Sequence, residues 1–190
     1  MFLLCPTDML HVLLRQVICS GDCVVDATAG NGHDTVFLAE AVGDGGKVIA
    51  IDIQAEAIEA TRQRLKESLL ENRVELYQVS HADIGQYVAE GVATAIVFNL
   101  GYLPGSDREL VTQSETTLMA LKASVFLLKK GGVLAVVCYP DHPGGDDEAA
   151  QVVCFLRGLE NFRLAKYELL STHRPSPFIL FAWKKSNGSK

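Results

Sequence analysis

Two hydrophobic rhythms alternate along the chain. Short continuous apolar runs read as strands buried on both faces, and stretches with apolar residues three or four apart read as amphipathic helices. A first helix starts at Thr7 or Asp8 and runs to about Cys19, with Met9, Leu10, Leu13, Leu14 and Val17 on one face. Cys23 to Thr28 is the first strand. A helix from about Thr35 to Val42 follows, closed by Gly43-Asp44-Gly45-Gly46. Lys47 to Asp52 is the second strand, and Gln54 to Leu70 is a long helix rich in helix formers. Val74 to Val79 is the third strand, followed by a short helix near Ile84 to Glu90. Ala93 to Phe98 is the fourth, and an irregular segment from Asn99 to Asp107 comes next. Ser114 to Lys129 is helical and ends at Gly131-Gly132. Val133 to Tyr139 is the fifth strand, and Asp146 to Gly158 is the last helix. Phe162 to Leu170 and Phe178 to Trp183 are two final strands with no helix between them.

Strands that alternate with helices imply a doubly wound, mostly parallel α/β sheet with helices on both faces. The last two strands are joined by a short Pro-containing loop, so they must pair antiparallel. The expectation is therefore seven strands, mostly parallel, with a C-terminal antiparallel hairpin. At 190 residues, this is one domain over 1–185, with a disordered polar tail over 186–190. Hydrophobic residues make up 48% and charged residues 21%, a globular and soluble balance. No apolar run reaches the ~20 residues of a membrane span, and the N-terminus has no signal peptide. The five cysteines lack metal-site spacing and read as reduced thiols of a cytoplasmic protein. A net charge of −6 disfavours holding nucleic acid through a bulk positive field. It leaves room for a local basic patch and a weakly held RNA.

The chemistry concentrates where the first strand meets the second helix: Asp26-Ala27-Thr28-Ala29-Gly30-Asn31-Gly32-His33-Asp34-Thr35. Such a turn opens a cleft at the carboxyl end of a parallel strand. Gly30 and Gly32 let the backbone turn sharply and approach a ligand. A dinucleotide fingerprint needs Gly or Ala where Thr35 stands, and Asp34 would repel a pyrophosphate in the first helical turn. Asp26 and Asp34 instead suit a cationic ligand. S-adenosylmethionine (SAM), a sulfonium and an ammonium with no phosphate, fits that requirement, with Asp26, Gly30, Asn31, Gly32 and Asp34 as its candidate contacts.

Asp52, about 20 residues on, can accept both hydroxyls of a ribose, or cap the following helix; the two roles are compatible. Gln54 is a further candidate on the same ligand. His81 and Asp83 follow the third strand at the expected adenine pocket, where Asp83 either accepts from the exocyclic amine or caps a helix. Asn99 and Tyr102 follow the fourth strand. An Asn side chain there can accept from an amine and aim its lone pair at a methyl group, and Tyr102 can stack on a base. Tyr139, His142 and Arg174 sit on loops that border the same cleft, as substrate contacts or as ordinary surface residues. His33 is either a general base or a local hydrogen-bond partner. No metal site is expected.

Four segments carry a specific resemblance: A-G-N-G-H-D-T, N-L-G-Y-L-P-G-S-D, Y-P-x-H-P-G-G and R-P-S-P-F. Together they resemble the small bacterial rRNA-methylase-like proteins, a family of Rossmann-like class I SAM-dependent methyltransferases. The resemblance runs from Asp8 to Lys184, and Ser106 departs from it where the family has Gly. It implies a tRNA methyltransferase acting on 5-aminomethyl-(2-thio)uridine at the anticodon wobble position, with tRNA bound transiently. An rRNA or small-molecule acceptor stays open, as does a homodimer. A nicotinamide-dependent oxidoreductase is opposed by Thr35 and by the terminal hairpin, and a SAM-sensing binding module is the non-enzymatic alternative.

Overall fold

The computed structural model describes residues 5–101, 112–141, 144–170 and 175–186. Its order is α1 (Pro6–Leu14), β1 (Cys23–Asp26), α2 (His33–Val42), β2 (Lys47–Asp52), α3 (Ala55–Glu67), β3 (Val74–Gln78), β4 (Ala93–Asn99), α4 (Ser114–Leu127), β5 (Leu128–Cys138), α5 (Gly145–Arg157), β6 (Phe162–Glu168) and β7 (Phe178–Lys184). The seven strands form one sheet in the order β3-β2-β1-β4-β5-β7-β6. β1 to β5 pair in parallel, and β7 pairs antiparallel with both β5 and β6. The expected sheet and hairpin are therefore present.

The two-residue period of a strand builds two cores at once. Val24, Val48, Val97 and Val137 face one side, against Leu10 and Leu14 of α1, Phe37 and Leu38 of α2 and Leu65 of α3. Val25, Ile49, Phe98 and Val136 face the other side, against Leu121 of α4 and Val152 and Leu156 of α5. A fully buried side chain of this kind contributes about 1.5–3 kcal/mol. The order reverses at β1, whose neighbours are β2 on one side and β4 on the other. A crevice opens there at the carboxyl ends of the strands.

Several boundaries move for physical reasons. α1 ends at Leu14 rather than near Cys19. The short helix after β3 is a 3₁₀ turn over His81–Gln86, capped by Ser80, whose Oγ accepts from the Ala82 N–H at 3.2 Å. β5 starts at Leu128, directly after α4 and five residues before Val133. Gly131-Gly132 thus lies inside a strand instead of ending a helix. Its register shifts against β4 there, with Ala93 opposite Leu128 but Ala95 opposite Val133. Gly131 has φ +79°, and a Cβ on Gly132 would stand 2.9 Å from the Lys129 carbonyl, so the bulge needs both glycines. The tail over 187–190 lies outside the described residues.

Candidate active site

The glycine turn is gripped from behind by α3. Thr61 Oγ1 donates to the Gly30 carbonyl at 3.0 Å, and Arg64 Nε donates to the Asn31 carbonyl at 2.7 Å. Gly32 caps α2 in a left-handed conformation (φ +79°), and a Cβ there would stand 2.9 Å from Thr61 Cα. The need for glycine at 32 therefore comes from helix packing, and Gly32 does not line the cleft. Asp26 is fully buried beneath the turn, where its carboxyl accepts from Thr35 Oγ1 at 2.6 Å and from the Thr28 N–H at 3.2 Å. Burial, reinforced by the neighbouring Asp34, pushes its pKa up to about 7. Asp26 shapes the turn from below and also lies off the cleft wall.

The cleft itself encloses about 450 Å³. On one side it is lined by Gly30, Asn31, Asp52, Ile53, Gln54, Ser80 and His81. Asp52 Oδ2 accepts from the Gly30 N–H and Oδ1 accepts from the Gln54 N–H, both at 2.9 Å. The carboxylate is thereby fixed, and each oxygen keeps a lone pair for a further donor. Ile53 is 65% exposed and offers an apolar shelf beside it. His81 packs its ring edge-on to Phe98, and burial lowers its pKa to about 4. Its Nε2 is buried without a hydrogen-bond partner. Asp83 is exposed, accepts from Gln86 Nε2 at 3.2 Å and is not on the cleft wall. Of the residues expected at the adenine pocket, His81 lines the cleft together with Ser80, and Asp83 does not.

The other side of the cleft is built from Thr28, His33, Asp34, Asn99, Leu100, Gly101, Thr112, Gln113, Thr116 and Tyr139. Asn99 ends β4. Its backbone N–H donates to Thr28 Oγ1 at 2.7 Å, and its side-chain Nδ2 donates to Asp34 Oδ2 at 3.1 Å. Burial raises the pKa of the Tyr139 phenol, which stands close to the side chains of Thr7 and Asn99. Gly101 and Thr112 close the base of the segment between them through Thr112 N–H to Gly101 O at 2.9 Å and Gly101 N–H to Thr112 Oγ1 at 3.0 Å. Buried Glu148 of α5 accepts from Thr112 Oγ1 and Thr117 Oγ1, each at 2.7 Å, and so ties α4, α5 and that base together. Tyr102, His142 and Arg174 lie outside the described residues.

Sequence reasoning missed two contributors. His11 of α1 reaches Asp34 at 2.6 Å, and Glu148 organises the base of the 102–111 segment. Both read in sequence as ordinary helix polar positions, and nothing in their local pattern distinguishes them.

A family model described as Putative rRNA methylase matches residues 48–183. The chain belongs to this family. Among the family's relatives is the chloroplastic tRNA (mnm(5)s(2)U34)-methyltransferase of Arabidopsis thaliana, 40% identical over 95% of this chain and 70% of that one. A putative rRNA-methylase from Clostridium thermocellum shares its structure at TM-score 0.92 and 35% identity, over 97% of this chain and all of that one. A putative methyltransferase from Streptococcus mutans, solved in complex with SAH, matches at TM-score 0.86 and 36% identity, over 96% of this chain and 99% of that one.

The cleft fits SAM on its own terms. Asp34 and Asp52 line it, and no Lys or Arg does among the described residues, which favours a cationic ligand over a phosphate. The fixed Asp52 carboxylate, with a lone pair free on each oxygen, is a polar partner that a nucleoside can use. Among the described residues, no helix is long and apolar enough to cross a membrane, and no cluster of His, Cys, Asp or Glu is arranged around a metal position.

Proposed function

We propose that this SAM-dependent methyltransferase modifies tRNA, methylating the primary amine of 5-aminomethyl-(2-thio)uridine at the wobble position. One observation carries the reading. The acceptor half of the cleft pairs Asn99 with Asp34, and Tyr139 shares its wall, a group of hydrogen-bond acceptors suited to an amine. The relative named for mnm(5)s(2)U34 agrees with it. When bound, SAM supplies a sulfonium methyl that passes to the amine nitrogen, the electron pair of the C–S bond staying on sulfur.

The protein's own residues do the rest. Asp52 and His81 hold the nucleoside end, with Ile53 as its apolar shelf. Asn31 and Gln54 add backbone and side-chain polar groups along the same wall. Asp34 draws the alkylammonium into the cleft, and Asn99 orients the neutral amine once its proton has left for solvent. Tyr139 encloses the reacting groups and limits water. Tyr102, His142 and Arg174 are assigned to the RNA substrate on sequence grounds alone. With a net charge of −6, the protein holds tRNA briefly rather than tightly.

Nucleoside mass spectrometry tests the reading. Cells lacking the protein should accumulate aminomethyl-uridine in bulk tRNA, and pure protein with SAM should convert it to methylaminomethyl-uridine while leaving unmodified transcript untouched. If aminomethyl-uridine neither accumulates nor is consumed, the tRNA reading is wrong, and labelled methyl transfer into rRNA or metabolite fractions then identifies the acceptor.

A further inference from the structure

α1 stands outside the strand–turn–helix that forms the cleft, yet one of its side chains reaches Asp34 of the acceptor half. The His11 ring stacks flat on Phe37, with centroids 3.9 Å apart and planes 4° from parallel. Its Nε2 then falls 2.6 Å from Asp34 Oδ1. The second oxygen, Oδ2, takes the Asn99 Nδ2 at 3.1 Å. The His11 side chain is 26% exposed and that of Asp34 only 8%, so the contact runs from the surface inward.

The direction of this chain matters. A carboxylate only accepts hydrogen bonds, so Asn99 must turn its NH₂ toward Asp34. With its NH₂ turned to Asp34, Asn99 keeps Oδ1 as the side-chain acceptor it can offer the cleft, whose wall it joins. An amine meeting Oδ1 donates an N–H to it and keeps its lone pair free. A flipped amide would present NH₂ instead, and would bind the lone pair that has to attack.

We propose that His11 is a positioning residue for the methyl acceptor: through Asp34 it fixes the Asn99 carboxamide with its oxygen toward the substrate amine. This rests on the amine-acceptor reading above. His11 touches neither substrate nor cofactor, so its removal should change the rate and not the binding.

The test uses the full chain with SAM and tRNA bearing aminomethyl-uridine. H11A should lower kcat about ten- to a hundredfold, the loss of one charge-assisted hydrogen bond. KM for tRNA and Kd for SAM should stay within about twofold. H11Q, whose amide nitrogen can replace Nε2, should recover most of kcat. In an N99A background, H11A should cost little more, because its route to the substrate is already gone. The Asn99 side-chain amide signals in ¹⁵N spectra should shift in H11A and return in H11Q. Additive losses in the double variant, wild-type kcat in H11A, or an unmoved Asn99 amide would each overturn the proposal. If the wild-type protein fails to methylate this tRNA, the acceptor reading fails separately, and the amide spectra still decide whether His11 orients Asn99.

Discussion

Asp26 shows how a buried carboxyl can shape the turn of a site. It is fully buried, and its pKa is raised from its ordinary 3.8 to about 7. The folded chain therefore holds this proton more tightly than the unfolded chain does. As pH rises from about 4 to about 7, the unfolded state releases the proton first, and folding stability falls; above pH 7 this contribution is flat. Asp26→Asn cannot titrate and can keep both partners, accepting from the Thr28 N–H and bonding Thr35. The variant should be more stable than wild type by a few kcal/mol at pH 8, with the gain shrinking toward pH 4. Urea melts at both pH values check this, and a gain independent of pH would show that Asp26 stays ionised in the folded protein. Residue by residue, Asp52 and Asn99 were readable because each ends an apolar run at the carboxyl edge of the sheet. Asp26 was readable as special but not as buried, since sequence does not say which side of a turn a carboxylate faces. His11 was not readable, because its partner Asp34 lies 23 positions away and belongs to another helix.

At the scale of elements, α3 holds the glycine turn, and the fit between them is tight. Gly32→Val would push a branched side chain against Thr61 Cα, 2.9 Å from the new Cβ, at φ +79°. The expected cost is on the order of 2–4 kcal/mol, from overpacking and backbone strain together. The denaturation midpoint should fall, and SAM affinity should fall with it, because Thr61 and Arg64 would lose their hold on the Gly30 and Asn31 carbonyls. Lost SAM affinity at an unchanged midpoint would instead place the crowding on the ligand side. Periodicity revealed the helices and strands well where both faces are buried. It misplaced the start of β5, because the sequence Lys129-Lys130-Gly131-Gly132 reads as a helix end when nothing indicates that β4 lies alongside. Glu148 was hidden for the same reason. An acid in the first turn of a helix suits the helix dipole anyway, and only the approach of α4 reveals the two threonine hydroxyls it accepts.

For the whole molecule, the sheet order and the acidic balance set how the partner is met. The cleft lies at the strand-order reversal between β2 and β4, and its described wall carries no Lys or Arg. Attraction for an RNA must come from a few basic side chains outside it. The salt dependence of tRNA binding should therefore be shallow, with a log–log slope no steeper than about −3, corresponding to some four phosphates. A titration of affinity against salt measures it, and a slope near −8 would reveal a continuous basic surface. Overall architecture was legible from the alternation of elements and from the helix-free ending, because topology follows from which connections are long enough to cross the sheet. The identity of the acceptor was legible only through the resemblance in the four loop segments.

Cys138 ends β5, one residue before Tyr139 at the cleft wall. It is buried, and that burial pushes its pKa up to about 12. No cysteine lines the cleft among the described residues. A thiol held in that state is not a nucleophile at neutral pH. The cleft therefore offers no thiol that could add to an inert ring carbon, which agrees with the proposed acceptor, an amine already carried by the base. On that reading the protein takes the place of a finishing step. An earlier enzyme builds the carbon–nitrogen bond on the base, and where that enzyme is missing this one should stand idle, whatever the supply of methyl donor.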